Sequence, residues 1–245
     1  MDINVVVPMA GYGSRFKEVG YSEPKPFIKI NGVSMVELVL QNLMINNATY
    51  ILIVLAKHIN QYAKFFSHLK MKYNIIIVPV IKTTQGAACT VLKACEYINN
   101  TTPLMIANSD QIVDIKVNDF VNDAHNKQLC GSIMTFKSND PKWSYAKVSE
   151  DNFVTSVKEK DPISDNATVG IYYFAQGKYY VNGAVEMIVN KEMSKNEYYV
   201  CPVYNYVISS VGNVGIYEIS SNKMHGLGTP RDLNIYLKES ALTEV

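Results

Sequence analysis

Four short apolar runs punctuate the first half of the chain: INVVVPM (3–9), YILIVLA (50–56), NIIIVPV (74–80) and TPLMIAN (102–108). They are rich in Val and Ile and do not alternate apolar with polar, as strands buried on both faces of a parallel sheet do. The intervening segments SMVELVLQNLMIN, KHINQYAKFFSHLKM and GAACTVLKACEYINN carry a helical period. This rhythm predicts an open α/β sheet with helices on both sides. The second half changes character. CGSIMTFKS, SYAKVSED, NFVTSVKEK and ATVGIYYFA read as strands with polar interruptions. A helix around 178–193, a short one near 203–211, the strand GNVGIYEIS and a last helix from Asp232 follow. No linker, low-complexity stretch or repeat interrupts the pattern, so one domain over residues 1–245 is expected, with room for a lobe at the sheet's far end.

Composition narrows the partners. With 48% hydrophobic residues in 245, the chain can bury one large core. Lys plus Arg (23) against Asp plus Glu (22) leaves a net charge of +1, without the cationic excess that nucleic acid or an anionic membrane surface demands. A small anionic ligand needs only a local cluster. The cysteines (89, 95, 130 and 201) have no C-x-x-C spacing and sit among apolar neighbours, the mark of buried free thiols in a reducing compartment. The first apolar run, roughly seven residues after Asp2, is too short for a signal sequence or a membrane span. A cytoplasmic protein is expected; oligomeric state is not legible.

Chemistry concentrates in loops that follow strands. AGYGSRF follows the first run, KTTQGAA the third and NSDQ the fourth. In an open parallel sheet, ligands bind beyond the carboxyl ends of the strands, so these loops meet at one edge. Gly11 and Gly13 allow a sharp turn and expose N–H groups, which suits a phosphate chain. The stretch is not a dinucleotide fingerprint, because Phe16 stands where a third glycine is required, and no G-x-x-x-x-G-K-[ST] occurs. Alone it is equally a tight turn. Arg15 adds a planar cation for phosphate oxygens. The prolines around Lys25 in EPKP stiffen that lysine's backbone, although a surface turn has the same composition. Asp110 either caps a turn or holds Mg²⁺, which takes one or two carboxylates plus substrate phosphates. Gln85 and Gly86 open a helix whose N-terminus favours anions, or simply cap it.

Gly-x-Gly-x-Arg-Phe, Pro-Lys-Pro and FIKINGVSMVE together resemble the nucleotidylyltransferases that make activated sugars and related head groups from a nucleoside triphosphate. The resemblance continues through TTQGAACTVLKA, IANSDQ, VKEKDPISDNATVGIYYF, EYYVCPVYN and HGLGTPRDLN, nearly the whole chain, and is nearest to members of capsule or surface-polysaccharide biosynthesis. It implies a Rossmann-like α/β/α sandwich. It also implies attack by an acceptor phosphate oxygen on the α-phosphorus of the NTP, with release of pyrophosphate. By the same resemblance Ala10, Gly11, Gly13, Ser14 and Ser109 line the nucleotide, and Gln85 and Gly86 contact the base. Arg15 and Lys25 stabilise phosphate charge, and Asp110 ligates Mg²⁺. Glu159, Lys160 and Gly170 meet the acceptor, Lys160 at its phosphate.

One departure stands out. Many relatives carry an aspartate two residues before Gly-Thr, where this chain has Gly226 in MHGLGT; either Asp110 and phosphate oxygens suffice, or His225 or Asp232 takes part. CTP is the favoured nucleotide, with UTP, dTTP and GTP open. The acceptor is a sugar 1-phosphate or a phosphocholine-like or other phospho-amino compound. Tyr172, Tyr173, Tyr198 and Tyr199 either floor its pocket or belong to the core. The competing functions are a glycosyltransferase on a related nucleotide-sugar fold and a non-catalytic nucleotide-binding regulator.

Overall fold

The computed structural model describes residues 2–243. Its strands are β1 (Ile3–Pro8), β2 (Lys29–Ile30), β3 (Val33–Ser34), β4 (Ala48–Leu55), β5 (Ile75–Val80), β6 (Leu104–Ala107), β7 (Gln111–Val113), β8 (Gly131–Lys137), β9 (Ser144–Val148), β10 (Val154–Glu159), β11 (Asn166–Phe174), β12 (Val214–Glu218) and β13 (Met224–Gly226). Its helices are α1 (Ser14–Glu18), α2 (Met35–Asn42), α3 (Ala56–Gln61), α4 (Ala63–Lys72), α5 (Ala87–Val91), α6 (Cys95–Ile98), α7 (Val117–Asn126), α8 (Gly177–Val189), α9 (Val203–Ser210) and α10 (Pro230–Thr243).

Nine strands form the central sheet in the order β10-β9-β11-β6-β1-β4-β5, with β8 beside β11 and β12 beside β8. β5, β4, β1 and β6 are mutually parallel. β11 opposes β6, β8 and β9; β12 follows β8 and β10 opposes β9. Only β10 and β11 therefore run against the rest, and the sheet is mostly parallel. Alternate residues of the continuous apolar strands serve opposite cores. Val5, Val7, Leu52 and Met105 pack with α2, α4 and α7, while Val6, Ile51, Ile53 and Ile106 pack with α5, α8 and α9. Both faces are covered, which is why these runs show no polar alternation.

Two helical segments are broken where the sequence suggested continuity. Residues 57–71 divide at Tyr62 into α3 and α4, and residues 86–100 form α5, a 3-10 turn (Leu92–Ala94) and α6. At the break Tyr62 has φ of −114° and ψ of 32°, and its ring stacks on Phe27. The final helix begins at Pro230 rather than Asp232. α7 was missed, although Val117, Phe120, Val121 and Ala124 form a buried stripe at helical spacing. The β7–β13 pair was also missed; its short strands rely on partners more than 100 residues apart in sequence. All four cysteines are free, but only Cys201 is buried and the other three are half-exposed.

Candidate active site

The glycine loop after β1 ends at Gly13, whose φ of 60° lies in the left-handed region that glycine enters without cost. A Cβ on Gly13 would stand 3.1 Å from Lys25 Cβ, so this loop rests directly on the Pro-Lys-Pro segment. Lys25–Phe27 is one 3-10 turn started by Pro24. Phe27 anchors it: its ring stacks on Tyr62 at 3.8 Å and meets the edges of His58, Phe65 and Phe66. The Tyr62 hydroxyl donates to the Glu23 carboxylate on the other side of the turn. Held at both ends, Lys25 places its ammonium 2.6 Å from Asp110 Oδ2, just beyond β6.

Asp110 lines a cavity of about 280 Å³ together with Arg15, Glu159, Lys160, Gly170 and Asp232. Its backbone carbonyl accepts from the Leu227 N–H at 2.7 Å. A Cβ on Gly228 would fall 2.7 Å from Asp110 Oδ2, so glycine there is what lets the last loop close over this carboxylate. Asp232 enters from the first turn of α10, where Thr229 donates to its Oδ2 at 2.7 Å and accepts from its backbone N–H at 3.1 Å. A Cβ on Gly226 would lie 3.8 Å from the Asp232 carboxyl carbon, so Asp232 occupies the ground beside that glycine. His225 is turned elsewhere, to Asp114 Oδ2 at 2.7 Å and Glu239 at 3.6 Å, and does not line the cavity.

The other side of the cavity comes from the end of β10. Successive strand residues point to opposite faces, but Lys160 follows Glu159 with φ of 55°, and this left-handed step brings both side chains into one space. Their charges lie 3.8 Å apart. Glu159 is 7% exposed and accepts from the Ser144 hydroxyl. Burial pushes its carboxyl above the usual carboxylate range, partly offset by that hydrogen bond and by Lys160. Lys160 Nζ donates to the Tyr199 hydroxyl at 2.6 Å. Gly170 has φ of 92° at an irregularity in the β11–β8 pairing. A Cβ there would overlap Gln111 Oε1 and Asn108 Nδ2, two cavity-lining groups hydrogen-bonded to each other at 3.1 Å.

Arg15, Asp110, Glu159, Lys160 and Gly170 thus share one cavity, and Lys25 reaches it through Asp110. The remaining residues singled out from sequence lie around it. Ala10 is buried near the start of the first loop, Gly11 is exposed within it, and Ser14 is exposed at the start of α1. Ser109 is buried behind Asp110, 6% exposed. Gly86 precedes α5 with its backbone against Tyr198. Gln85 turns away, donating to Met193 Sδ at 3.2 Å, and it is Ala87 that reaches the cavity from this loop. Tyr172 and Tyr199 line the cavity, whereas Tyr173 and Tyr198 do not. Sequence reasoning missed Lys142, Trp143, Ser144, Asn108 and Gln111. Asn108 and Gln111 flank Ser109-Asp110 and were within reach of the strand-end argument. Lys142 and Trp143 come from the β8–β9 connection, which carried no signal.

Among the described residues, no three or more His, Cys, Asp or Glu gather to hold a metal ion. The donors fit Mg²⁺, which needs one or two carboxylates and takes its other ligands from phosphate and water. Also among the described residues, no helix is long and apolar enough to cross a membrane.

An open, mostly parallel sheet with cations and carboxylates gathered beyond its strand ends defines a class: α/β enzymes that handle phosphorylated ligands at that edge. Residues 5–211 match the nucleotidyl transferase family (NTP_transferase). The chain belongs to that family and is a nucleotidyltransferase. Solved structures share its fold. One is a nucleoside-diphosphate-sugar pyrophosphorylase from Vibrio cholerae RC9, with 23% identity, TM-score 0.79, and coverage of 96% of this chain and 99% of that one. A second is an inositol-1-phosphate CTP transferase from T. maritima, with 17% identity, TM-score 0.73 and coverage of 96% and 93%. A third is a UDP-glucose pyrophosphorylase complexed with UDP-glucose, with 16% identity, TM-score 0.79 and full coverage of both chains. A search of curated protein sequences gives no match.

Proposed function

We propose that the protein transfers a nucleotidyl group from a nucleoside triphosphate, CTP foremost, to a phosphorylated small molecule. The acceptor is a sugar 1-phosphate or a phosphocholine-like phosphomonoester, and the product feeds surface-polysaccharide synthesis in the cytoplasm. The observation that carries this reading is the meeting of Arg15, the Lys25–Asp110 pair and the Glu159–Lys160 pair around one cavity. An oxygen of the acceptor's phosphate attacks the α-phosphorus. The bond from that phosphorus to the bridging oxygen of the β-phosphate breaks, and its electron pair leaves with pyrophosphate. No covalent enzyme intermediate is required, so the protein's task is to position two anions and neutralise them.

Backbone N–H groups of Ala10, Gly11, Gly13 and Ser14, with Ser109, receive the triphosphate, and the Gln85–Gly86 backbone receives the base. Arg15 and Lys25 balance charge on the triphosphate and the pentacoordinate phosphorus. Lys160 holds the acceptor phosphate, and Glu159 and Gly170 border its polar substituents. Asp110, with Asp232 as the second carboxylate, would hold Mg²⁺, which would supply charge neutralisation of the phosphate oxygens. The test is pyrophosphate release with each of five nucleoside triphosphates, Mg²⁺ and a panel of phosphorylated acceptors. Release that requires both substrates is the expected result. Nucleoside diphosphate released from a nucleotide sugar would move the protein to glycosyl transfer, and NTP binding without turnover would make it a regulator.

A further inference from the structure

The segment that joins α8 to α9 touches both halves of the site. At Tyr198 its backbone exchanges two hydrogen bonds with the loop after β5: the Tyr198 N–H donates to the Gln85 carbonyl at 2.9 Å, and the Ala88 N–H donates to the Tyr198 carbonyl at 3.0 Å. Between those partners sits Gly86, with φ of 109° and so little clearance that a Cβ would overlap the Tyr198 backbone. The Tyr198 ring is buried in the core that also holds α5, α8 and α9. This residue is therefore tied to Gln85–Ala88 by two hydrogen bonds and a close backbone contact, with its ring anchored in the core.

The next residue faces the other substrate. The Tyr199 hydroxyl accepts from Lys160 Nζ at 2.6 Å, while Glu159 Oε1, at 3.8 Å, is beyond hydrogen-bond reach of that ammonium. Burial, followed by a hydrogen bond to Glu197, keeps the phenol far above its usual range, so it remains protonated and can donate to Glu197 while it accepts from Lys160. Arg15, from α1, lines the same cavity as this phenol, and its charge works against the upward shift. A lysine side chain has long, flexible freedom, and here one phenolic oxygen fixes its head.

We propose that Tyr199 is a positioning residue that couples occupancy of the nucleotide loop to the placement of Lys160. A shift of Gln85–Ala88 on nucleotide binding is carried through the paired backbone of Tyr198 to the adjacent tyrosine, and so to the lysine. Coupling of this kind is reciprocal: whatever factor the nucleotide adds to acceptor affinity, the acceptor adds to nucleotide affinity. The proposal rests on the assignment of Lys160 to the acceptor's phosphate and goes beyond it by naming what sets that lysine.

The experiment is calorimetric and needs no turnover. Inorganic phosphate, as a probe of the acceptor-phosphate position, is titrated into the protein alone and into the protein saturated with a non-hydrolysable α,β-methylene analogue of the triphosphate that the pyrophosphate assay selects. We expect phosphate to bind at least about fivefold more tightly with the analogue present, the lower end of typical coupling. In Tyr199→Phe, which keeps the ring and removes the hydroxyl, the two affinities converge to within about twofold, and the KM values for acceptor and for nucleotide, each measured with the other substrate saturating, both rise. A Tyr199→Phe protein that retains the full coupling overturns the proposal, as does a wild type in which the analogue leaves phosphate affinity unchanged. Failure of the enzymatic reading is a different result, namely no triphosphate selected by the assay.

Discussion

The Lys25 ammonium lies 2.6 Å from Asp110 Oδ2, a contact that spans 85 residues of sequence and ties the Pro-Lys-Pro turn to the end of β6. Both side chains are only about one-fifth exposed, at 21% and 20%, so solvent screens the pair little and each charge depends on the other for compensation. On the proposed function its consequence is positional, because the ammonium already stands where a triphosphate's charge would be met. Lys25→Ala is expected to lower kcat by roughly 10²–10³, the order for losing one preorganised charge-stabilising donor, and Arg15→Ala to do the same. The unfolding midpoint of the Arg15 variant should stay near the wild type, since that side chain is exposed. Turnover close to normal in either variant, measured by pyrophosphate release, removes that residue from the mechanism.

Gly170 is a backbone requirement. Its φ of 92° is strained for any side chain, and a Cβ would overlap the Asn108–Gln111 amide pair on the cavity wall. Gly170→Ala therefore forces both a left-handed residue and displacement of two hydrogen-bonded amides. A loss of at least about 2 kcal/mol of stability is expected, within the usual range for such backbone strain. Denaturant unfolding measures it, and a variant as stable as the wild type would show that the wall yields freely.

Much of this was legible in the sequence. The strands β1, β4, β5 and β6 announced themselves because both faces are covered, which removes the polar alternation that would blur them. Once they were placed, strand-end geometry singled out Arg15 and Asp110 without a structure, and the flanking prolines singled out Lys25. What stayed hidden depends on long-range contact. Phe27 looks like any apolar residue until the four aromatic rings around it are seen, and these come from α3, α4 and the break between them. Trp143 reaches the cavity from a connection with no periodic signal. The left-handed Lys160 is invisible to pattern, since a period of two would send it away from Glu159.

Asp232 makes a different kind of claim, because Gly226 leaves no carboxylate at its own position. Its carboxylate lines the same cavity as Asp110, while His225 is engaged by Asp114 and Glu239 outside that cavity. Asp232→Asn keeps an oxygen for the Thr229 hydroxyl and removes the charge. The Mg²⁺ concentration for half-maximal rate should rise about tenfold, the lower end for loss of a metal-supporting group. His225→Ala should leave that concentration unchanged. Equal Mg²⁺ titrations for wild type and Asp232→Asn would leave Asp110 as the sole protein carboxylate on the metal.

Glu159 sets stability against function. Burial raises its carboxyl pKa above the ordinary value, so over the window between the two values the native state binds the proton more tightly than the unfolded chain does. Stability must then fall as pH rises through that window, and at neutral pH the ionised Glu159 is a cost the fold carries. Glu159→Gln removes the charge and keeps an oxygen for the Ser144 hydroxyl, so its melting temperature at pH 7 should exceed that of the wild type, with the gap closing as pH is lowered towards the ordinary carboxylate value. Activity should move the opposite way. The variant is expected to lose roughly tenfold or more in kcat/KM for the acceptor, in line with losing a charged hydrogen-bond partner. In the wild type, kcat/KM should decline on the acid side at a pH above that of an ordinary carboxylate, and the variant should lack this limb. Thermal melts and pH–rate profiles of the two proteins decide the matter: a variant no more stable than wild type at pH 7 would mean that Glu159 carries no such cost, and one with an unaltered acid limb would mean that it has no such role.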